Sequence, residues 1–134
     1  MRILIVDDES VSLEKLKLIV SAFGDCDCVD NAGKALELFA SAVEKSAEYG
    51  LVLLDIKLPD MQGNDLLIQM REAEQRTDGA KRAKIVMVTS CVAKDTVIDC
   101  RANGCDDYII KPFNQGVIVK KLSALGLIPQ QPSA

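Results

Sequence analysis

The sequence predicts an α/β fold, a doubly wound five-stranded parallel sheet with helices on both faces. Three observations predict it. Apolar runs and segments of helical periodicity alternate five times along the 134 residues. Four of the runs, residues 3–6, 51–54, 85–88 and 108–110, are almost continuously apolar, as strands are when helices cover both of their faces. Each of these four also ends on polar residues: Asp7-Asp8, Asp55, Thr89 and Lys111-Pro112. If the strands are parallel, those residues share the carboxyl edge of the sheet, where open α/β sheets bind their ligands.

The elements follow in order. After the first strand, Leu13, Leu16, Val20 and Phe23 recur at helical spacing from about Ser10. A short, weak strand follows at residues 26–29, and its poor apolar content makes it the candidate edge strand. Leu36, Phe39 and Val43 mark the second helix, and Tyr49-Gly50 leads into the third strand. Pro59-Asp60-Met61-Gln62-Gly63 is turn chemistry, after which Leu66, Leu67, Met70 and Ala73 mark the third helix. Thr77-Asp78-Gly79 breaks that helix before the fourth strand. The fourth helix, residues 93–102, has the weakest pattern, with Ala93, Val97 and Cys100 on one face; Asn103-Gly104 caps it. The fifth strand begins near Asp106, and Ile118, Leu122 and Leu125 give a last helix closed by Gly126. Right-handed crossovers then lead to the strand order 2-1-3-4-5. One folded domain is expected over residues 1–127. Residues 128–134 are polar and proline-bearing and are expected to form a flexible tail or the start of a linker.

Composition narrows the function. The net charge is -4, with 49% hydrophobic and 27% charged residues, ordinary for a globular domain. Lys81-Arg82 with Lys84 reads as a solvated loop, and no basic, aromatic-interleaved patch suggests nucleic acid. No apolar stretch approaches the ~20 residues that span a bilayer, and Met1-Arg2 leads straight into a strand rather than into a signal peptide. A cytoplasmic protein without membrane partners is expected. The five cysteines lack zinc-ligand spacing and read as reduced thiols. The chain has no histidine, which removes Ser-His-Asp and Cys-His catalysis.

Each polar strand end has an ordinary reading of its own. Asp7 and Asp8 suit a helix cap, Asp55 a turn, Thr89-Ser90 another cap and Lys111 a solvated loop. Their convergence on one sheet edge is the informative feature. Asp7, Asp8 and Asp55 would repel one another unless a cation sat among them. Lys111 offsets one charge, and an open, oxygen-rich site suits magnesium, or manganese, for the rest. That arrangement favours attack by a carboxylate on phosphorus, giving an aspartyl phosphate.

With these motifs in place, the chain resembles the receiver domains of two-component response regulators, including the chemotaxis regulators, from Arg2 to about Leu127. The matching segments are Ile-Val-Asp7-Asp8-Glu9, Leu-Leu-Asp55-Ile-Lys-Leu-Pro59-Asp60-Met61-Gln-Gly63, Val-Thr89-Ser90 and Tyr108-Ile-Ile-Lys111-Pro112-Phe113. The resemblance implies a (βα)5 flavodoxin-like fold and a signalling domain, not an enzyme, that catalyses only its own phosphorylation and slow dephosphorylation. It implies that Asp55 accepts a phosphoryl group from a phosphohistidine of a sensor histidine kinase or phosphotransfer protein. Magnesium would be held by Asp8, Asp55 and the backbone carbonyl of Lys57, with Asp7 acting through water. Lys111 would contact the phosphoryl group, and Thr89 and Tyr108 would form the switch. The Lys111–Pro112 bond is expected in cis. The output would be read by an effector protein on the face of the fourth helix, fifth strand and fifth helix, with Val97, Arg101 and Tyr108 as candidates there.

The resemblance further implies that Lys57 and Cys91, two residues beyond Asp55 and Thr89, would flank the path of the hydrolytic water, where fast members of the family tend to carry an acid or amide. Neither side chain suits orienting that water, so a long-lived phosphorylated state is expected. The rival reading is a receiver-like docking module that acts constitutively, without control by phosphorylation. A phosphatase of the haloacid-dehalogenase type is disfavoured because Asp7 and Asp8 are adjacent rather than spaced by one residue. No glycine-rich phosphate loop follows the first strand. The chain has room for one domain, expected to be either a single-domain regulator or the receiver of a longer protein.

Overall fold

The structure is a computed structural model that describes residues 1–129. Five strands alternate with five helices: β1 (Arg2–Val6), α1 (Ser10–Val20), β2 (Asp25–Val29), α2 (Ala32–Glu44), β3 (Leu51–Leu54), α3 (Gly63–Gln75), β4 (Lys84–Thr89), α4 (Lys94–Ala102), β5 (Asp107–Ile110) and α5 (Gln115–Ala124). The strands form one parallel sheet of order β2-β1-β3-β4-β5, the expected doubly wound, flavodoxin-like arrangement. The weak second strand is indeed at an edge, and its residues are exposed or half-buried where β3 is buried throughout.

Alternation along the strands divides the core in two. Leu4, Val6, Val52, Leu54, Ile85 and Met87 face α2, α3 and α4, where they meet Ala35, Phe39, Leu66, Leu67, Met70 and Cys100. Ile3, Ile5, Leu51, Leu53, Val86, Val88 and Ile109 face α1 and α5, where they meet Leu16, Val20, Ile118 and Leu122. Ile128 belongs to this second layer at 8% exposure, and Ser123 Oγ donates to the Pro129 carbonyl at 3.0 Å. The packed body therefore includes Ile128, one residue past the expected edge at 127, and the remaining residues of the expected tail, 130–134, lie outside the described residues.

Two helices differ from expectation in instructive ways. α1 ends at Val20, so Phe23 packs from the turn that follows it rather than from the helix. In α4 only Cys100 is fully buried; Val97 is half-buried against the core and Ala93 is an exposed N-cap. The end of α4 is a Schellman motif. Gly104 adopts φ +105, its N–H donates to the Arg101 carbonyl, and the Cys105 N–H donates to that of Cys100.

Candidate phosphoryl-transfer site

The sheet's ladders continue one step past the strands and thereby place the site. The Asp7 N–H donates to Val29, the Asp55 N–H to Val6 and the Lys111 N–H to Thr89, at 3.1, 3.0 and 2.9 Å. Asp7, Asp55 and Lys111 are thus fixed as the next rungs after the apolar runs. Their side chains meet at the carboxyl edge. Lys111 Nζ lies 2.7 Å from Asp7 Oδ2 and 2.9 Å from Asp55 Oδ2, with Glu9 Oε1 at 3.6 Å. The Lys111–Pro112 peptide bond is cis.

Carboxylate oxygens of Asp7, Asp8 and Asp55 lie within 4.8 Å of one another. At that spacing each like-charged pair costs of order 3 kcal/mol near a protein surface. Asp7 and Asp55 are buried at 1% and 7% exposure, whereas Asp8 is exposed. Burial raises the Asp7 carboxyl above its ordinary value, and the hydrogen bond from Lys111 only partly reverses this. Burial alone would lower Lys111, but its hydrogen bonds to Asp7 and Asp55 hold it above the ordinary ammonium value. Burial thus drives the Asp7 shift, while the Lys111 shift reflects the two carboxylates that hold its ammonium. Three hard oxygen donors, one of them open to solvent, fit a small divalent cation such as magnesium.

The backbone around Asp55 is shaped to keep its carboxylate in place. Asp55 Oδ1 accepts from the Ile56 N–H at 2.7 Å, while Oδ2 takes Lys111. The Gly63 N–H closes the following turn onto the Ile56 carbonyl at 2.6 Å. A Cβ at position 63 would overlap the Asp55 carbonyl oxygen, so the start of α3 passes this close only as glycine. Lys57 is exposed at the rim of a cleft that also contains Gln62, Asn64, Cys91 and Thr96.

The other expected site residues lie nearby with their own partners. Thr89 is the last residue of β4, 1% exposed, and its Oγ1 accepts from the Cys91 N–H at 3.3 Å. Tyr108 is buried, and its hydroxyl donates to the Cys91 carbonyl at 2.9 Å. Burial and neighbouring cysteines raise its phenol well above the ordinary value. The Cys91 thiol is lowered, first by the Ala93 N–H and less by Thr96 and Lys57.

Of the three candidates for the expected output face, Arg101 is exposed, Val97 is half-buried against the core and Tyr108 is buried in β5. The exposed apolar groups there are Ile98, Ile110 and Val117, at 53%, 40% and 40%. Val97 and Cys100 do share the inward face of α4, as their spacing predicts, while Ala93 stands outside the helix as its exposed N-cap.

Comparison with known proteins agrees with this geometry. The family model of the response regulator receiver domain matches residues 3–123. The regulatory protein AtoC of Escherichia coli is 34% identical over 131 residues, covering 97% of this chain and 24% of AtoC. The cell cycle transcriptional regulator CtrA of Caulobacter vibrioides is 29% identical over 126 residues, covering 93% of this chain and 50% of CtrA. The chain therefore spans half or less of the length of these relatives. A CheY-like receiver domain protein of Methanospirillum hungatei, known from its crystal structure, superposes with a TM-score of 0.76 at 32% identity. That match covers 96% of this chain and 94% of the other.

Proposed function

The chain belongs to the response regulator receiver domains, and on that premise we propose that Asp55 is a phosphoacceptor, charged by a phosphohistidine of a histidine kinase or phosphotransfer protein. The observation that carries this reading is the salt-bridged Asp55 carboxylate, 2.9 Å from Lys111 inside a cluster with too few cations. In the step, a carboxylate oxygen of Asp55 attacks phosphorus and an O–P bond forms. The P–N bond to the donor imidazole breaks, and the imidazole leaves with the electron pair. Asp8, Asp55 and the Lys57 carbonyl would hold magnesium or manganese directly, with Asp7 acting through water. Bound there, the ion offsets the charge shared by the carboxylates and the phosphoryl oxygens. Lys111 is already on Asp55 and can follow the incoming oxygens without crossing the site.

The output follows from where strain is easily absorbed. Turning the Thr89 hydroxyl to the phosphoryl group gives up its bond from the Cys91 N–H, the segment that also takes the Tyr108 hydroxyl. α4 follows directly and is held by one fully buried side chain, so it is the helix that shifts at least cost. An effector protein would read the change across α4, β5 and α5, through Ile98, Arg101, Ile110 and Val117. The domain acts as a cytoplasmic signalling module and turns over no external substrate beyond its own phosphoryl donor.

Lys57 and Cys91 place no acid or amide beside the hydrolytic path, so the phosphorylated state is long-lived. A Lys57→Asn, Cys91→Glu double variant that decays no faster than the parent would count against this. The test of the reading as a whole is 19F NMR with beryllofluoride and magnesium. The parent should show bound fluoride resonances and Asp55→Asn none; identical spectra would refute Asp55 as the acceptor.

A further inference from the structure

We infer that Asp60 is a positioning residue for magnesium binding, because it fastens the turn bearing the Lys57 carbonyl to the N-terminus of α2. This rests on the phosphoacceptor reading above and extends it to a residue outside the acidic cluster. Asp60 Oδ1 accepts from the Ala32 N–H at 2.8 Å and Oδ2 from the Gly33 N–H at 2.9 Å. The Asn31 side chain accepts from the Lys34 N–H at 2.9 Å. The first three free N–H groups of α2 are therefore satisfied, two of them by a residue 27 or 28 positions further along the chain.

The placement of this bond gives it consequence. Residues 57–62 form a small loop closed on itself by the Gly63–Ile56 hydrogen bond and the Lys57–Gln62 bridge. Among the described residues, the two bonds from Asp60 are the loop's only hydrogen bonds to an element other than itself, Asp55 and α3. Leu58 packs in the core beneath it, which fixes the loop's depth but not its swing about the chain. Carboxylate acceptance by two N–H groups at a helix N-terminus resists that swing, because it is directional and favoured by the helix dipole. The same α2 follows β2, whose Val29 carbonyl holds the Asp7 N–H. Asp60 thus references the Lys57 carbonyl to the structural frame that holds Asp7.

The test separates this role from a general loss of stability. Magnesium affinity is measured by titration calorimetry, and stability by urea unfolding, in the parent, Asp60→Ala, Asp60→Asn and Asn31→Ala. Asn31→Ala removes the neighbouring cap from the same helix end without freeing the loop. Asp60→Ala should weaken magnesium binding about tenfold, as loss of a group that orients a metal ligand does. Asn31→Ala should lose similar stability but stay within about twofold of the parent in affinity, since a cap acts on the helix. Asp60→Asn, which keeps one acceptor oxygen, should fall between and serves if the alanine variant does not fold. Equal affinity in the parent and both Asp60 variants overturns the inference, as does an equal loss in Asn31→Ala. A parent that binds no magnesium defeats the phosphoacceptor reading, and this inference with it.

Discussion

The two edges of the sheet carry the molecule's two buried charge networks, and they are built on opposite principles. At the amino edge, Arg71 uses its whole guanidinium. Nε and Nη2 reach the Gly104 carbonyl at 3.0 and 2.8 Å, Nη1 reaches Glu74 and the Ala83 carbonyl, both at 2.8 Å, and Nη2 also reaches Asp106 at 2.9 Å. Arg82 takes the other Asp106 oxygen at 2.7 Å. Two guanidiniums thus face two carboxylates; Glu74 Oε2 also accepts from the Ala83 N–H, and Asp106 Oδ2 accepts from the Ile85 N–H as well as from Arg71. At the carboxyl edge, three carboxylates face one ammonium. A balanced network ties α3, β4 and the α4–β5 turn together and asks for nothing further. The unbalanced one leaves negative charge for an added cation to offset, as the proposed site for magnesium and a phosphoryl group would use.

The contrast breaks most severely at Arg71. Arg71→Met should cost about 3–5 kcal/mol, because it leaves Glu74 without its counter-ion in a site 7–12% exposed, takes one of two guanidiniums from Asp106 and removes the guanidinium donor from the Ala83 carbonyl. Urea unfolding measures it; a loss under about 1 kcal/mol would mean that water replaces the guanidinium at little cost.

Acid should act on the two networks with opposite signs. The Asp106 carboxyl is itself pushed up by burial, but Arg82, the Ile85 N–H and Arg71 together hold it below its ordinary 3.8. Its stabilisation is therefore present above 3.8 and is lost as pH falls through its lower folded value. Asp7 is raised above 3.8 by burial, so its ionised form destabilises the metal-free fold, and that cost is relieved as pH falls towards 3.8. Unfolding midpoints of the metal-free parent, Asp7→Asn and Asp106→Asn between pH 3 and 7 should show this. Asp7→Asn should gain most at neutral pH and lose its advantage towards 3.8, while Asp106→Asn loses stability at neutral pH. Curves that differ from the parent by a constant offset would contradict both assignments.

The smallest effect sharpens the comparison. Asp8 is exposed and has no hydrogen bond or ion pair among the described residues. Asp8→Asn should stabilise the metal-free protein by at most about 1 kcal/mol, the range for exposed charges, and should abolish most of the stabilisation that magnesium gives the parent. A loss of stability without magnesium would mean that the cluster is not short of positive charge.

What the sequence disclosed divides along the same line. The fold was legible because strand runs and helical spacing are local patterns, and the acidic site because each of its residues directly follows a run. Arg71 was not: its partners are backbone carbonyls at positions 83 and 104, which only the folded chain brings to it. Asp60 read as an ordinary turn residue for the same reason, its acceptors being matched to N–H groups at 32 and 33. Arg82 read as part of a solvated loop, although Asp106 and Gly104 hold it. α4 was the least legible helix, because with one fully buried residue its periodicity is weak, and Ala93, read as part of it, is its exposed N-cap.

The most direct test of the account is the intact mass of the protein after incubation with magnesium and acetyl phosphate, beside Asp55→Asn. The account predicts one added phosphoryl group on the parent, dependent on magnesium, and none on the variant. Equal addition to both, or addition to the parent that is indifferent to magnesium, would contradict it.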